Sequence, residues 1–156
     1  MKFVLIIFCL TMLGCSHSSS QQSGTLSAKF ASYKATVSTP AEHKFVKAEL
    51  WETLVASRVA AAKSEVINAI AYFPLEMTKI TDVKESISGT RGCLLVSGTN
   101  AKQVLLDYYI QFDLTDGNWL ISDVAIKYFL DGSERYLPYA ECDAEKRMTL
   151  WLESVQ

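Results

Sequence analysis

Histidine is scarce in this chain, with His17 and His43 as its two members. Histidine is the most common general acid or base and a frequent zinc ligand. Neither residue belongs to a His-Glu-x-x-His run, and no Cys-x-x-Cys pair is present. The sequence therefore assigns no catalytic residues, no metal site and no thiol redox motif.

Other recognisable chemistry is also missing. Phosphate-cradling glycine loops are absent, and the run 89–92 is better explained as a turn between strands, so we expect no cofactor. Basic residues number 15 against 17 acidic ones, giving a net charge of −2. Nucleic-acid binding domains usually carry a basic surface, so no nucleic-acid partner is expected.

The first fifteen residues have the layout of an export signal. Lys2 supplies the positive start, residues 3–13 are apolar apart from Thr11, and Gly14 precedes Cys15. This layout is typical of signal peptides. A membrane-spanning helix needs about 20 apolar residues, so the segment is too short to be one.

The run Leu10-Thr11-Met12-Leu13-Gly14-Cys15 resembles the bacterial lipobox, although Met12 and Leu13 depart from its usual residues. The resemblance implies cleavage before Cys15 and lipid attached to that cysteine. It also implies a lipid-anchored place in the bacterial cell envelope, and Ser16 after the cysteine favours the outer membrane, facing the periplasm. The alternatives are an ordinary leader cut elsewhere and an uncleaved anchor.

The rest of the chain divides into a tether and one domain. We assign 1–14 to the signal peptide, 15–38 to the lipidated cysteine and a flexible tether, and 39–156 to a single domain. Residues 16–24 are polar and of low complexity, as in flexible linkers. Residues 26–38 stay open between a short strand and a segment leaning on the domain.

Two cysteines remain for a disulfide once Cys9 leaves with the leader and Cys15 takes lipid. An exported protein meets oxidising conditions, so we expect Cys93 to pair with Cys142. Their separation of 49 residues would contribute about 4 kcal/mol by loop closure. The alternative is two free buried thiols.

The middle of the chain has a helical pattern. Thr39-Pro40-Ala41-Glu42 is a good helix start with the residues of a capping box. An apolar stripe then continues as one helix or two up to Phe73-Pro74, where proline ends the helix. Five residues form the first part of the predicted stripe: Leu50, Trp51, Leu54, Val55 and Val59.

Short strands follow, predicted at 77–88, 92–97, 104–114 and 119–129 and separated by turns rich in glycine and asparagine. Met148, Trp151, Leu152 and Val155 then repeat at helical spacing. The fold class is therefore α+β. An N-terminal amphipathic helix or helix pair packs on a curved antiparallel sheet of about four strands, and a short C-terminal helix follows.

A helical region followed by such strands, together with Trp119, Asp123 and Val124 after the turn at 116–118, resembles the nuclear transport factor 2-like superfamily over roughly 42–128. The C-terminal helix and the cysteine pair depart from the superfamily pattern. The resemblance implies a helix-backed curved sheet with a pocket. Members use it for isomerisation, dehydration, ligand binding or protein assembly, and the fold does not choose among these.

We expect a membrane-anchored module that binds another envelope protein or a small ligand without catalysis. One alternative is an enzymatic or ligand-binding cone that uses Asp107 or Asp123 with a tyrosine such as Tyr108, Tyr109 or Tyr128. Another is an inhibitor or immunity-type lipoprotein that binds through the loop 131–141, where Tyr136 and Tyr139 are candidate contacts.

Overall fold

The computed structural model describes residues 25–63, 69–130 and 140–154, with side chains up to 149 in the last segment. It contains three α-helices and four strands in these ranges, with two single-turn 3₁₀ helices at Glu42–Phe45 and Ala69–Tyr72. The elements are α1 (Leu26–Thr36), α2 (Ala48–Lys63), β1 (Lys79–Ser88), β2 (Arg91–Thr99), β3 (Leu105–Thr115), β4 (Asn118–Phe129) and α3 (Ala144–Ser154). The predicted α+β class is confirmed.

The four strands form one antiparallel sheet in the order β1-β2-β3-β4, and the sheet is curved but not closed. Each strand begins and ends within about two residues of its predicted bounds. Gly89 and Gly117 occupy the hairpin turns with φ of +59° and +76°, a region that glycine enters without a side-chain clash. The turn residues therefore located the strands correctly.

One face of the sheet carries the main core. Alternate residues of β3 point to this face and are almost completely buried, as the alternation in the sequence predicted. They are Leu106, Tyr108, Ile110 and Phe112. Leu94 and Val96 of β2 and Ile121 of β4 extend the same layer, and the helices α1 and α2 supply its other side.

Helix α1 belongs to that core. Leu26, Phe30 and Tyr33 are buried, and the Thr25 hydroxyl accepts a hydrogen bond from Ala28 N at 3.3 Å as an N-terminal cap. The folded part therefore includes residues 25–36, which the sequence had assigned to the tether. Cys15 and the rest of 1–24 lie outside the described residues.

The prediction of a helix from about Pro40, capped by Thr39, is wrong. Glu42–Phe45 is a single 3₁₀ turn, and α2 begins at Ala48. Val46 forms a parallel bridge to Ile121, and Lys47 N donates to the Ile121 carbonyl at 2.8 Å. These extended residues add to the outer side of β4, and they separate the turn at Glu42–Phe45 from α2, although both had been predicted to belong to one helix.

Helix α2 buries a narrower stripe than predicted. Leu50, Leu54 and Ser57 are buried, whereas Val55 and Val59 are 39% and 48% exposed. The side of α2 that contacts the sheet is therefore rotated away from the two valines. Their assignment to the core was wrong, because valines at helical spacing can continue a stripe beyond the surface that the sheet covers.

A second, smaller apolar layer lies on the opposite face of the sheet. Cys93, Leu95 and Tyr109 are buried there with Ala140. Cys93 and Cys142 lie at disulfide-bonding distance, with 5.6 Å between their Cα atoms, as predicted. The disulfide holds the start of the C-terminal segment against the sheet, and α3 follows directly.

Candidate functional site

The three residues predicted for a pocket, Asp107, Tyr109 and Asp123, lie on the sheet face that carries the disulfide. Asp107 and Tyr109 alternate with core residues of β3, and the register pairs Gln111 with Asp123 on β4. Asp107 is 2% exposed, Tyr109 is buried, and Asp123 is exposed. The structure puts the three on one face, but it buries two of them and leaves Asp123 in solvent.

Asp107 lies in a polar row across the sheet. The register places it between Ser97 of β2 and Lys127 of β4, and Ser97 is also buried. The Lys127 ammonium is 4.9 Å from the centre of the Phe129 ring.

Tyr109, two residues along β3, lies under Arg147, whose guanidinium carbon is 4.6 Å from the centre of the Tyr109 ring. Tyr109 thus has a clear packing role beneath α3.

Tyr108 and Tyr128, the other tyrosines considered for a cone site, hold the segment before β1. The Tyr108 hydroxyl accepts from Met77 N at 2.9 Å, and the Tyr128 hydroxyl donates to Glu76 Oε2 at 2.5 Å. Burial, the hydrogen bond to Glu76 and its negative charge raise the pKa of Tyr128. Both hydroxyls stay protonated at neutral pH and serve as structural hydrogen-bonding groups.

A cavity of about 340 Å³ opens beside the disulfide. Strand β2 contributes Arg91 and Cys93 to its wall, and the C-terminal segment contributes Glu141, Cys142 and Lys146. The Ser86 hydroxyl donates to the Ala140 carbonyl at 2.9 Å and so fixes this segment to β1. The cavity therefore lies between the sheet and the start of α3.

Two acidic residues of the cavity wall accept hydrogen bonds from backbone amides, Asp143 from α3 and Glu141 from the residue before this helix. Asp143 Oδ1 accepts hydrogen bonds from Glu145 N and Lys146 N at 3.0 Å, and Glu141 Oε1 accepts from Asp143 N at 2.9 Å. The hydrogen bond from Lys146 N is the main cause that lowers the pKa of Asp143. Both carboxylates thus help to shape the segment that carries Lys146.

No known protein family, curated protein or solved structure matches this chain. The assignment of a site therefore depends on the chain's own residues and their geometry.

One buried polar cluster was missed by the sequence reasoning. Glu42 is 1% exposed, and both of its oxygens accept hydrogen bonds from Arg58, Nη2–Oε1 at 2.7 Å and Nη1–Oε2 at 3.1 Å. Tyr33 donates to Oε1 at 3.1 Å, and Ser38 N donates to Oε2 at 2.9 Å. The sequence had assigned Glu42 to a capping box, and its spacing from Arg58 carries no recognisable motif.

The electrostatics of this cluster favour a structural ion pair. Burial alone would raise the pKa of Glu42, but the bonds from Arg58 and Ser38 N outweigh it and hold that pKa below its ordinary value. Burial, aided by the neighbouring carboxylate, raises the pKa of Tyr33. Arg58 Nη2 also donates to the Phe73 carbonyl at 3.2 Å. The cluster joins α1, the 3₁₀ turn, α2 and the segment before β1.

The described residues contain neither a metal-binding cluster nor a helix that could span a membrane. Within 25–63, 69–130 and 140–154, no group of three or more histidine, cysteine or acidic residues is arranged to hold a metal ion. Among the helices in the same ranges, none combines the length and apolar character needed to cross a bilayer. Tyr136 and Tyr139, the predicted interface residues, lie outside the described residues.

Proposed function

We propose that this chain is a lipid-anchored protein of the bacterial cell envelope that binds another protein, without catalysis, along the open edge of its sheet. The observation that carries the proposal is the exposure of β1. No side chain of β1 is buried, whereas seven of the nine residues of its neighbour β2 are. Among the strands in the described residues, β1 is also an outer strand of the sheet.

The side chains of β1 suit a protein contact. Ile80, Val83 and Ile87, all on β1, are 44%, 42% and 53% exposed. An outer strand presents backbone donors and acceptors to solvent on its unpaired side, and an extended segment of another chain can pair with them. The opposite edge is different, because Val46 and Lys47 already cover part of β4.

Charges on β1 favour a selective partner over indiscriminate pairing. Lys84 Nζ lies 3.5 Å from Asp82 Oδ2. The pairing register of β1 with β2 shifts between Ile80 and Asp82, as at a β-bulge. Charged residues and bulges are the usual devices that keep an outer strand from pairing with any exposed strand. A partner segment therefore needs apolar residues to cover Val83 and Ile87.

The anchor part of the proposal rests on the leader and on Cys15. Thr25 is ten positions after Cys15, and a chain of that length spans at most roughly 35 Å. Several acyl chains give a durable anchor. The folded domain would thus work close to the membrane.

The fold family that we propose is the nuclear transport factor 2-like superfamily. Helices that precede a curved four-stranded meander support it.

Site-specific photocrosslinking in native envelopes tests the binding edge. A photoreactive residue at Val83 is compared with the same residue at Val59, an exposed valine on α2. We expect one discrete crosslinked protein from position 83 and none from position 59. Equal products at both positions, or none at either, would contradict the proposed edge.

Intact mass spectrometry of the protein purified from membranes tests the anchor. We expect a chain that begins at Cys15 and carries acyl chains, and a Cys15→Ala variant that is neither acylated nor cleaved at that position. A mature chain that begins elsewhere and carries no lipid would contradict the anchor.

The inhibitor alternative, which depends on Tyr136 and Tyr139, stays a prediction.

A further inference from the structure

The cavity beside the disulfide lies at the end of the sheet where α1 begins. Leu26 of α1 packs so closely on Gly92 that a Cβ added there would lie 2.6 Å from Leu26 Cδ1. Ser27 N donates to the Glu85 carboxylate at 3.1 Å. Gly92 also lines the cavity. The start of α1 and the cavity therefore share one β-hairpin, on opposite faces of a single sheet layer.

The inference rests on the proposed lipid anchor, because the anchor limits how far the start of α1 can lie from the membrane. Thr25 is ten residues from Cys15, so the start of α1 stays within roughly 35 Å of the acylated residue. The cavity is one sheet layer further away. A tether of that length would let the cavity reach the polar headgroups of the membrane that carries the anchor.

The cavity wall carries charges of both signs from separate elements. Arg91 comes from β2 and Lys146 from the first turn of α3, while Glu141 and Asp143 precede α3. A purely anionic ligand would face the two carboxylates, and a purely cationic one would face the two cations. A ligand with both charges can satisfy both sets, and the volume of about 340 Å³ is in the usual range for small-molecule sites.

We propose that this cavity binds a phosphoethanolamine group, with its phosphate against Arg91 and Lys146 and its ammonium against Glu141. Arginine donates two parallel hydrogen bonds to phosphate oxygens, and lysine adds a point charge. Asp143 is the less suitable partner for the ammonium, because its Oδ1 accepts hydrogen bonds from two backbone amides, whereas Glu141 Oε1 accepts one. The group can come from a lipid headgroup or from a free phosphoethanolamine ester.

Calorimetric titration of the protein purified intact from membranes, in detergent, tests the site with glycerophosphoethanolamine as the probe. We expect saturable one-site binding. Glycerophosphocholine should bind several-fold more weakly, because its trimethylammonium group has no N–H to donate to Glu141. Equal affinity for the two probes, or no saturable binding of the first, overturns the proposal.

Matched charge variants locate the bound probe. Arg91→Gln/Lys146→Gln should weaken binding about tenfold or more. Lys44→Gln/Lys102→Gln removes the same charge from two exposed residues that do not line the cavity, and it should leave the affinity within twofold. Circular dichroism of all variants checks folding. Equal losses in both pairs would show non-specific attraction and overturn the site.

The disulfide supplies a second, independent measurement. Cys93 and Cys142 line the cavity, so a bound ligand should slow their reduction by a small thiol several-fold. A ligand that binds without changing the reduction rate binds elsewhere, which overturns the site. If phosphatidylethanolamine vesicles also slow reduction and phosphatidylcholine vesicles do not, the source is the headgroup; slowing by the free ester alone identifies a soluble ligand.

Failure of the anchor and failure of the site are distinguishable. If mass spectrometry shows no acyl chain but glycerophosphoethanolamine binds and protects the disulfide, the anchor is wrong and the site stands. If Cys15 is acylated and the probe does not bind, the anchor stands and the site is wrong.

Discussion

Glu42 is the residue whose environment differs most from what its sequence context suggests. It is buried, and three side-chain hydrogen bonds and one backbone amide satisfy its carboxylate. Replacing one partner of a buried ion pair leaves the other without compensation, which typically costs about 3–5 kcal/mol. Glu42→Gln should lower the free energy of unfolding by about 3 kcal/mol in urea denaturation at pH 7, the lower value because Arg58 is partly exposed.

The same pair predicts an acid dependence. Because the folded-state pKa of Glu42 is depressed, its contribution to stability is complete above its unfolded pKa of about 4.3 and is lost as pH falls through the folded value. The wild type should therefore lose more stability than Glu42→Gln between about pH 5 and pH 3. Glu52→Gln, on the exposed side of α2, is the control and should follow the wild type. Parallel curves for all three would contradict the assignment.

Two glycines of β2 should respond differently to the same substitution. A Cβ on Gly98 would lie 2.1 Å from the Lys79 carbonyl oxygen, which is backbone and cannot rotate away. A Cβ on Gly92 would meet the ends of the Leu26 side chain, which can move. Overpacking usually costs about 1–3 kcal/mol, so we expect Gly98→Ala at or above the upper value and Gly92→Ala near the lower one. Thermal unfolding measures both, and the reverse order would contradict the packing described here.

The site was harder to predict than the fold because its contacts are distant in sequence. In the sequence, β3 and β4 lie between Arg91 and Lys146. No local sequence pattern therefore indicates that the two residues line one cavity. The cysteine pairing was accessible because few cysteines were available. Asp107 was chosen as a polar residue of an alternating strand, and alternation does not reveal that the second face of the sheet is also partly covered.

Among the elements, the strands were predictable and the helices only in part. Turn residues mark strand ends locally, and Gly89 and Gly117 did so here. Helix α1 was missed although Leu26, Phe30 and Tyr33 follow helical spacing and Thr25 is a good cap. The break before α2 had no such signal, because it depends on the contact of Val46 with Ile121 in another element.

Docking of α1 yields a prediction for that element. Phe30 is 5% exposed and contacts Phe73, with 6.1 Å between ring centres. Phe30→Ala should lower the free energy of unfolding by about 3–5 kcal/mol, the usual cost of removing a buried aromatic ring. Val59→Ala truncates an exposed apolar residue of α2 and should change it by less than about 0.5 kcal/mol. Similar effects of the two substitutions would mean that residues 25–36 belong to the tether and not to the folded domain.

At the scale of the whole molecule, the disulfide joins the C-terminal segment to β2 within the smaller apolar layer. The main core lies between the sheet and the helices α1 and α2, and the C-terminal segment contacts the other face through Ala140, Cys142 and Arg147. The loop that the bond closes has a sequence separation of 49 residues, and loop closure of that length contributes about 4 kcal/mol.

Loss of the disulfide should therefore weaken the C-terminal segment more than the sheet. Cys93→Ala/Cys142→Ala should lower the free energy of unfolding by about 4 kcal/mol, since the unfolded chain regains the freedom of that loop. In hydrogen exchange at low denaturant, amides of 140–154 should lose protection first, because the contacts of that segment with the smaller layer are few. Amides of β2 and β3 should keep protection until global unfolding. A uniform loss throughout the sheet would instead mean that both layers unfold as one cooperative unit, with the C-terminal segment an integral part of the core.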